Sequence, residues 1–210
     1  MTDGDAEYVA RLLAAGMLAG PVLELGAGYG GRTCRQAVAD ARLDYFATDI
    51  EGAVDFVADF SDPGSVAEAF ASRTFGTVLV LNVLEHTFEP IPVLDNAASL
   101  LRAGGRLVVV TPAVWPIHRF PIDCYRLLPD FYVRYAQRRG LSLDQRWFEY
   151  IGRGRVHDHP DASGDAGLPA PVQTRFRRWR SRVVHRLFDT SGRDVTFPSH
   201  VAIGALLEKP

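Results

Sequence analysis

The stretch Val22-Leu-Glu-Leu-Gly-Ala-Gly-Tyr-Gly-Gly31 decides the fold, because a short apolar run that carries Glu24 is followed by four glycines within six residues. The apolar run predicts a buried parallel strand, and the glycines predict a tight turn before a helix. Glycine suits such a turn because it reaches positive φ without a Cβ clash and lets a ligand lie against bare backbone. The segment therefore predicts a ligand-binding turn between a strand and a helix.

Strands and helices alternate up to about residue 112. Further strands are predicted at about 43–49, 54–59, 77–82 and 106–111, with helices at about 5–18, 30–40, 61–71 and 90–102. Apolar strands that alternate with helices are typical of a parallel sheet covered on both faces. Ligands bind such sheets at the carboxyl ends of the strands, where the strand order reverses. Polar or glycine positions fall at these ends, namely Glu24, Gly26, Asp49, Asp59 and Asn82.

The pattern changes after residue 112. A proline-rich loop covers about 112–130, a helix follows at 130–139, and two more strands are predicted at 141–151 and 197–207. Between these strands, an arginine-rich helix is predicted at 171–188. We therefore expect a single domain over 1–210, with its core at about 20–151 and 196–208 and an insertion at about 152–195.

Composition limits the classes of function. The 210 residues are 47% hydrophobic and 23% charged, which is typical of a soluble globular protein with a sizeable core. A net charge of −2 points to no macromolecular partner, so nucleic acid is not expected, and the chain is expected to be a monomer or a homodimer. Cys34 and Cys124 have no metal or redox spacing, no apolar run approaches ~20 residues, and the acidic N-terminus is no signal peptide. A cytoplasmic location without stable membrane insertion is expected.

The glycine turn fits two cofactors. Gly26, Gly28 and Gly31 satisfy G-x-G-x-x-G, the pattern of dinucleotide-binding turns, while Glu24 with the glycines satisfies acid-x-Gly-x-Gly-x-Gly, the pattern of S-adenosylmethionine (SAM) enzymes. An acid two residues before the first glycine suits a cationic amino-acid ligand better than a pyrophosphate. An adenine amino group could donate to the acid that ends the third strand, Asp59.

Together with Leu81-Asn-Val-Leu-Glu-His86 and the Leu-Leu-x-x-Gly-Gly turn at 100–105, these positions resemble class I SAM-dependent methyltransferases of the broad type 11 group. The resemblance covers about 20–112. It implies a Rossmann-like, doubly wound α/β fold whose seven-stranded sheet has a reversed last strand, with helices on both faces and the inserted helix between strands six and seven. It also implies the SAM-contacting residues: Glu24, Gly26, Gly28 and Asn82 around the methionine, Asp49 at the ribose, and Asp59 with Phe60 at the adenine. The alternative for each acid is a helix cap or a turn residue.

The second informative stretch is His118-Arg-Phe-Pro-Ile-Asp-Cys-Tyr-Arg-Leu-Leu-Pro-Asp-Phe131. It resembles a loop of type 11 enzymes that are associated with sugars, polysaccharides or secondary metabolites. Candidate catalytic residues are His118, His86 and Asp123, and candidate substrate-binding residues are Tyr125, Arg126 and Trp115. Two alternatives stay open: Asp123 and Arg126 could pair to pin the loop, and Trp115 could belong to the core.

A metal site is not predicted. Related ubiquinone and small-RNA methyltransferases hold a divalent metal with Glu-x-x-Glu-His, but here the first position is Asn82, a much weaker ligand than a carboxylate. His118 could supply another ligand. We instead expect His86 to be a base or a structural histidine.

The resulting hypothesis is a SAM-dependent methyltransferase that acts on oxygen (or nitrogen) of a small metabolite, with sugar-containing or anionic acceptors as candidates. One alternative is an NAD(P)-dependent oxidoreductase of similar fold, although the sole lysine is Lys209 and no Tyr-x-x-x-Lys pair exists. The other alternative is a SAM-binding regulatory protein without catalysis.

Overall fold

The computed structural model describes residues 2–28, 32–119, 121–152, 179, 183 and 200–210. Its helices are α1 (Asp3–Ala14), α2 (Arg35–Asp40), α3 (Pro63–Phe70), α4 (Pro90–Ser99) and α5 (Pro129–Arg139). Its strands are β1 (Val22–Leu25), β2 (Tyr45–Asp49), β3 (Phe56–Val57), β4 (Phe75–Leu81), β5 (Leu101–Val114), β6 (Ser142–Leu143), β7 (Glu149–Gly152) and β8 (Val201–Glu208). Short 3-10 helices cover Leu84–His86 and Gln145–Trp147.

One sheet holds these strands in the order β3-β2-β1-β4-β5-β8-β6, and β7 also pairs with β8. The first five strands pair in parallel. Strand β8 runs antiparallel to β5, β6 and β7. The predicted doubly wound α/β sheet with a reversed last strand is therefore confirmed.

The sixth strand differs from its prediction at 141–151, because the structure splits it into β6 and β7. Asp144 explains the break: its side chain accepts from the Arg146 amide at 3.0 Å and caps the 3-10 helix that separates the two short strands. The backbone amide of Asp144 still donates to Leu206 O at 2.9 Å. The two pieces thus lie along the same partner strand.

Alternation along the strands builds a core on each face of the sheet. Val78 and Val80 of β4 belong to one buried cluster, and Leu79 and Leu81 belong to the other. All seven residues of β4 are buried, as expected for a central parallel strand. α1 packs on the second face through Tyr8, Val9 and Leu12, and this packing fixes where its first turn lies.

The predicted arginine-rich helix at 171–188 lies outside the described residues, apart from Trp179 and Val183, whose backbone is helical. The Trp179 side chain is exposed. Within the described residues, the longest helices are too short and too polar to cross a membrane.

Candidate active site

The strand order reverses between β1 and β4, and the turns that follow these strands touch each other. Gly26 has a φ of +71°, and a Cβ atom there would lie 2.8 Å from Cγ2 of Val83. A side chain at position 26 would therefore fill the crevice at the carboxyl edge of the sheet. Ligands of doubly wound folds bind in this crevice. Two predicted glycines of the turn, Gly30 and Gly31, lie outside the described residues.

Glu24 is buried beneath the glycine turn. Its Oε2 accepts from the Cys34 amide at 2.7 Å and from the Tyr45 hydroxyl at 2.8 Å. Burial raises the pKa of Glu24, and these two donors oppose that rise. Glu24 therefore ties β1 to β2 and to the start of α2, whatever else it binds.

Asp49 joins the end of β2 to the glycine turn. Its Oδ2 accepts from the Gly28 amide at 2.8 Å, and its Oδ1 accepts from the Ile50 amide at 2.7 Å. A Cβ on Gly28 would lie 2.8 Å from Glu51 O and 3.0 Å from Asp49 Oδ2, so only glycine fits against this carboxylate. The Asp49 side chain is partly exposed at the carboxyl edge of the sheet, which we call the rim. Each of its carboxylate oxygens can accept more than one hydrogen bond.

Asp59 and Phe60 follow β3. Asp59 Oδ1 accepts from the Ser61 amide at 2.8 Å and from its hydroxyl at 2.7 Å, which is the turn role left open by the sequence. The Phe60 side chain is buried, and its ring packs edge-on against Phe70 at 5.7 Å between centroids. The exposed Asp59 carboxylate, rather than the Phe60 ring, therefore faces the rim.

Asn82, directly after β4, lies against an acid that the sequence analysis missed. It has a φ of +54°, and its Nδ2 donates to Oδ2 of Asp5 at 2.8 Å. The Thr2 amide also donates to this oxygen, at 2.6 Å, and the Thr2 hydroxyl accepts from the Asp5 amide, which completes a capping box at the start of α1. The Thr-x-x-Asp spacing predicts this cap. No signal in the sequence predicts that Asp5 contacts Asn82, which is 77 positions away.

Two histidines meet above the same edge. His86 comes from the 3-10 helix after β4 and His118 from the loop after β5, and their ring centroids lie 4.9 Å apart. His86 Nδ1 lies 2.6 Å from Ile122 O, so this nitrogen carries the proton and donates to the carbonyl. Burial lowers the pKa of His86, which keeps the ring neutral with its Nε2 lone pair available.

Asp123 and Arg126 pair in the loop that carries His118. Arg126 donates to both carboxylate oxygens, at 2.5 and 2.7 Å, and hydrogen bonding from Arg126 holds the pKa of Asp123 well below its usual range. Asp123 Oδ2 also accepts from the His118 amide at 2.7 Å and lies 3.5 Å from His118 Nδ1. This is the pinned-loop arrangement that the sequence left open, and it makes Asp123 a support for His118.

The predicted substrate-binding aromatic residues flank the histidines. The half-buried Trp115 ring lies 6.2 Å from the His118 ring and 4.6 Å from the His200 ring. The Tyr125 hydroxyl donates to Phe88 O at 3.1 Å. Trp115 therefore lies beside the histidine pair, whereas Tyr125 braces the segment that follows His86.

Glu85 lies beneath the histidine pair with a side chain that is 1% exposed. Within the part of the chain that the structure describes, neither of its carboxylate oxygens has a hydrogen-bond partner. Burial raises the pKa of Glu85 to about 8. Ligand atoms of Glu85, His86 and His118 lie within 4.8 Å of one another, and a carboxylate with two imidazoles could hold a divalent transition metal.

Comparisons with known proteins show the family and the fold of the chain. A family model described as a methyltransferase domain matches residues 6–192. No curated protein matches the chain. Solved structures share the fold, among them a candidate methyltransferase from Bacillus halodurans with 15% identity and a TM-score of 0.61 over 96% of this chain and 98% of that one.

Two further solved structures are similar over nearly all of this chain. A SAM-dependent methyltransferase from Archaeoglobus fulgidus has 14% identity and a TM-score of 0.55, covering 97% of this chain and 94% of its own. The 1,6-didemethyltoxoflavin-N1-methyltransferase of Burkholderia thailandensis, solved with bound 1,6-didemethyltoxoflavin and S-adenosylhomocysteine, has 16% identity and a TM-score of 0.58, covering 99% of this chain and 80% of its own. At these identities the likeness shows the fold.

Proposed function

Because this chain belongs to the methyltransferase-domain family, and is thus a class I SAM-dependent methyltransferase, we propose that it methylates an oxygen atom of a small metabolite, with nitrogen as the second choice. The family and the cofactor predicted from the sequence are thereby confirmed. SAM supplies a methyl group on a positively charged sulfur. The protein must align this group with the acceptor, exclude water and take up a proton where the acceptor is a hydroxyl.

We propose that SAM binds in the crevice between β1 and β4. Bare backbone at Gly26 and Gly28 leaves room for the methionine part, and side chains at these positions would clash with their neighbours. We propose that Glu24 and Asn82 border the methionine, that Asp49 accepts from the ribose hydroxyls, and that Asp59 accepts from the adenine amino group. A vicinal diol offers two donors to one carboxylate, and such charge-assisted hydrogen bonds are strong.

The observation that carries the proposed chemistry is the histidine pair. His86 Nε2 has an available lone pair at a strand end that borders the proposed SAM site, and we propose that it receives the proton of the acceptor. His118 lies against His86 and is supported by Asp123, so we propose that it orients the acceptor. Asp123 then acts through His118 and does not touch the acceptor.

Apolar side chains near the histidines indicate what the acceptor carries besides its hydroxyl. Phe88 is 77% exposed, Ile117 is 74% exposed and Ile122 is 42% exposed, all on the two segments that bear His86 and His118. Exposed apolar groups that cluster in this way often mark a ligand-binding surface. We propose an acceptor in which the hydroxyl lies next to an apolar ring or chain, and a glycosylated secondary metabolite meets this description.

An anionic acceptor has less support. Arg126, the predicted anion clamp, donates to Asp123 twice, to Tyr125 O at 2.8 Å and to Pro116 O at 3.2 Å. A guanidinium engaged in this way has few donors left for a phosphate or carboxylate. Trp115 and Tyr125 stay in the proposal as walls of the acceptor site.

The oxidoreductase alternative finds no support around Lys209. Its Nζ donates to carbonyl oxygens of Ala98, Ser99 and Leu101, at the end of α4 and the first residue of β5. This is the amino edge of the sheet, opposite the rim. The only lysine of the chain is therefore a cap for α4 and is remote from any nicotinamide at the rim.

Calorimetric titration with SAM, S-adenosylhomocysteine and NADH tests the cofactor, and we expect binding of the first two only. Turnover is then followed as release of S-adenosylhomocysteine with matched acceptors: a glycosylated phenol, its aglycone, the corresponding aniline and a sugar phosphate. We expect the glycosylated phenol and its aglycone to react faster than the aniline and the sugar phosphate. Binding of SAM without turnover on any acceptor would favour the regulatory alternative, and tight NADH binding alone would contradict the proposal.

Within the residues that the structure describes, no disulfide joins Cys34 and Cys124. A chain that does not use its cysteines as a disulfide framework suits a reducing compartment, so we propose a cytoplasmic enzyme. We propose a monomer or homodimer that acts on its small substrate without nucleic acid.

A further inference from the structure

The first turn of α1 lies over the crevice between β1 and β4. Arg32, just after the glycine turn, forms an ion pair with Asp3 at 2.7 Å. Asn82, just after β4, donates to Asp5 at 2.8 Å. The segments that follow β1 and β4 therefore both contact the first turn of α1. Asp5 belongs to this turn and lies at the point where the strand order reverses.

Asp5 has one carboxylate oxygen that is paired and one that is not. Its side chain is 0% exposed, and Oδ2 accepts from Thr2 and Asn82. For Oδ1, no hydrogen-bond partner exists among the residues that the structure describes. An unpaired buried carboxylate oxygen costs free energy, so a donor from outside the protein would be stabilising here.

The surroundings of Asp5 are acidic. Burial is the main cause of the raised pKa of Cys34, and the charges of Glu24 and Asp5 raise it further. Asp5 also adds to the rise in the pKa of Glu85 that burial causes. The carboxylates of Asp5 and Glu24 therefore favour a cationic group over a neutral one at this place.

We propose that Oδ1 of Asp5 accepts a hydrogen bond from the α-ammonium group of the methionine part of SAM, an inference that rests on the proposed function. SAM carries two positive groups, the ammonium and the sulfonium. Only the ammonium has N–H donors, and an acceptor oxygen without a partner requires a donor. Asp5 is therefore a cofactor-binding residue contributed by α1, outside the glycine turn and the strand ends.

The substitution Asp5→Asn separates this role from that of a mere support for Asn82. The donors from Thr2 and Asn82 hold the amide oxygen in the place of Oδ2, so the amide NH2 takes the place of Oδ1. The link to Asn82 is kept, while a donor now opposes the ammonium. Asp3→Asn is the matched control, because the Asp3 side chain is 90% exposed and surface ion pairs contribute little.

The experiment measures the dissociation constants of S-adenosylhomocysteine and of its desamino analogue, in which hydrogen replaces the α-amino group. We expect Asp5→Asn to weaken binding of S-adenosylhomocysteine by about tenfold or more and to leave the analogue unchanged, since hydrogen bonds to charged groups are worth about 1.5–3 kcal/mol. Asp3→Asn should bind both ligands like the wild type. Equal weakening for both ligands, or no weakening, would overturn the proposal.

The wild-type protein alone provides a second measurement, which needs no folded variant. We expect it to bind the desamino analogue at least about tenfold more weakly than S-adenosylhomocysteine. Equal affinity for the two ligands would overturn the role of Asp5 and leave the proposed function intact. Absence of binding to SAM and S-adenosylhomocysteine together would overturn both.

Discussion

Oε1 of Glu85 lies 3.7 Å from Nε2 of His86, at the turn that follows the central strand β4. Burial raises the pKa of Glu85 to about 8 and lowers the pKa of His86, so both groups are neutral at pH 7. Because both side chains are neutral, the fold avoids the desolvation free energy of burying a charged carboxylate and a charged imidazole side by side. This relationship has consequences for stability, for metal binding and for catalysis.

The buried Glu85 makes stability dependent on pH. The folded state keeps the Glu85 proton up to about pH 8, whereas the unfolded state releases it near 4.5, so the folded state binds more protons in between. The stabilisation that Glu85 contributes is therefore fully present below about pH 4.5 and is lost as the pH rises through 8. Over this range the free energy of unfolding falls by up to about 1.4 kcal/mol per pH unit.

Chemical unfolding of the wild type and of Glu85→Gln from pH 5 to 9 measures this effect. Glutamine mimics the protonated acid, so the variant should gain stability relative to the wild type as the pH rises. Glu89→Gln, a change at an exposed acid of the same segment, should follow the wild type throughout. A constant difference between the wild type and Glu85→Gln would contradict the raised pKa.

The same neutral acid bears on metal binding. Glu85, His86 and His118 have suitable spacing, but a metal must displace the Glu85 proton at pH 7. We predict that EDTA changes neither the affinity for S-adenosylhomocysteine nor turnover. A midpoint of thermal unfolding that Mn²⁺ or Zn²⁺ raises in the wild type but not in Glu85→Gln would show instead that the three side chains bind metal.

The contact between Asp49 and the glycine turn predicts a selective loss of cofactor. Asp49→Ala removes the acceptor proposed for the ribose hydroxyls and the hydrogen bond from the Gly28 amide. We expect the dissociation constant of SAM to rise more than about tenfold, with the thermal midpoint nearly unchanged because the side chain is partly exposed. Asp44→Ala, at an exposed acid just before β2, is the control. Unchanged affinity in Asp49→Ala would mean that the ribose lies elsewhere.

Much of the fold follows from the sequence because it depends on local patterns. Apolar runs, glycine turns and caps predict each strand from β1 to β5, and the reversed last strand follows from the family resemblance. Asp144 breaks the sixth strand because a capping side chain within an apolar run has more influence there than the β propensity of the run.

The site is less predictable, because its key contacts join residues far apart in the chain. The contact between Asp5 and Asn82 and the ring contact between His86 and His118 depend on how helices and loops dock on the sheet. The sequence predicts the residue types at the rim, but it does not predict which carboxylate oxygens stay unpaired. Glu85 shows this, since it is adjacent to His86 in sequence and only its burial makes it a neutral acid.

The last prediction concerns the base itself. If His86 receives the acceptor proton at Nε2, His86→Asn should lower kcat by about 100-fold or more on a hydroxyl acceptor and leave the affinity for SAM unchanged. Because the pKa of His86 is lowered by burial, the wild type should keep its kcat/KM at a lower pH than an ordinary imidazole base allows. His118→Asn should raise KM more than it lowers kcat, because His118 orients the acceptor.

These expectations are checked by measuring kcat and KM across the pH range for the wild type and both variants, together with the dissociation constant of SAM. Only His86→Asn should remove the acidic limb of the profile, because the group that titrates there is then absent. An unchanged limb in His86→Asn and its loss in His118→Asn would reverse the two roles. Loss of SAM affinity in either variant would show that the histidines belong to the cofactor site, since a base that acts only on the acceptor leaves cofactor binding unaltered.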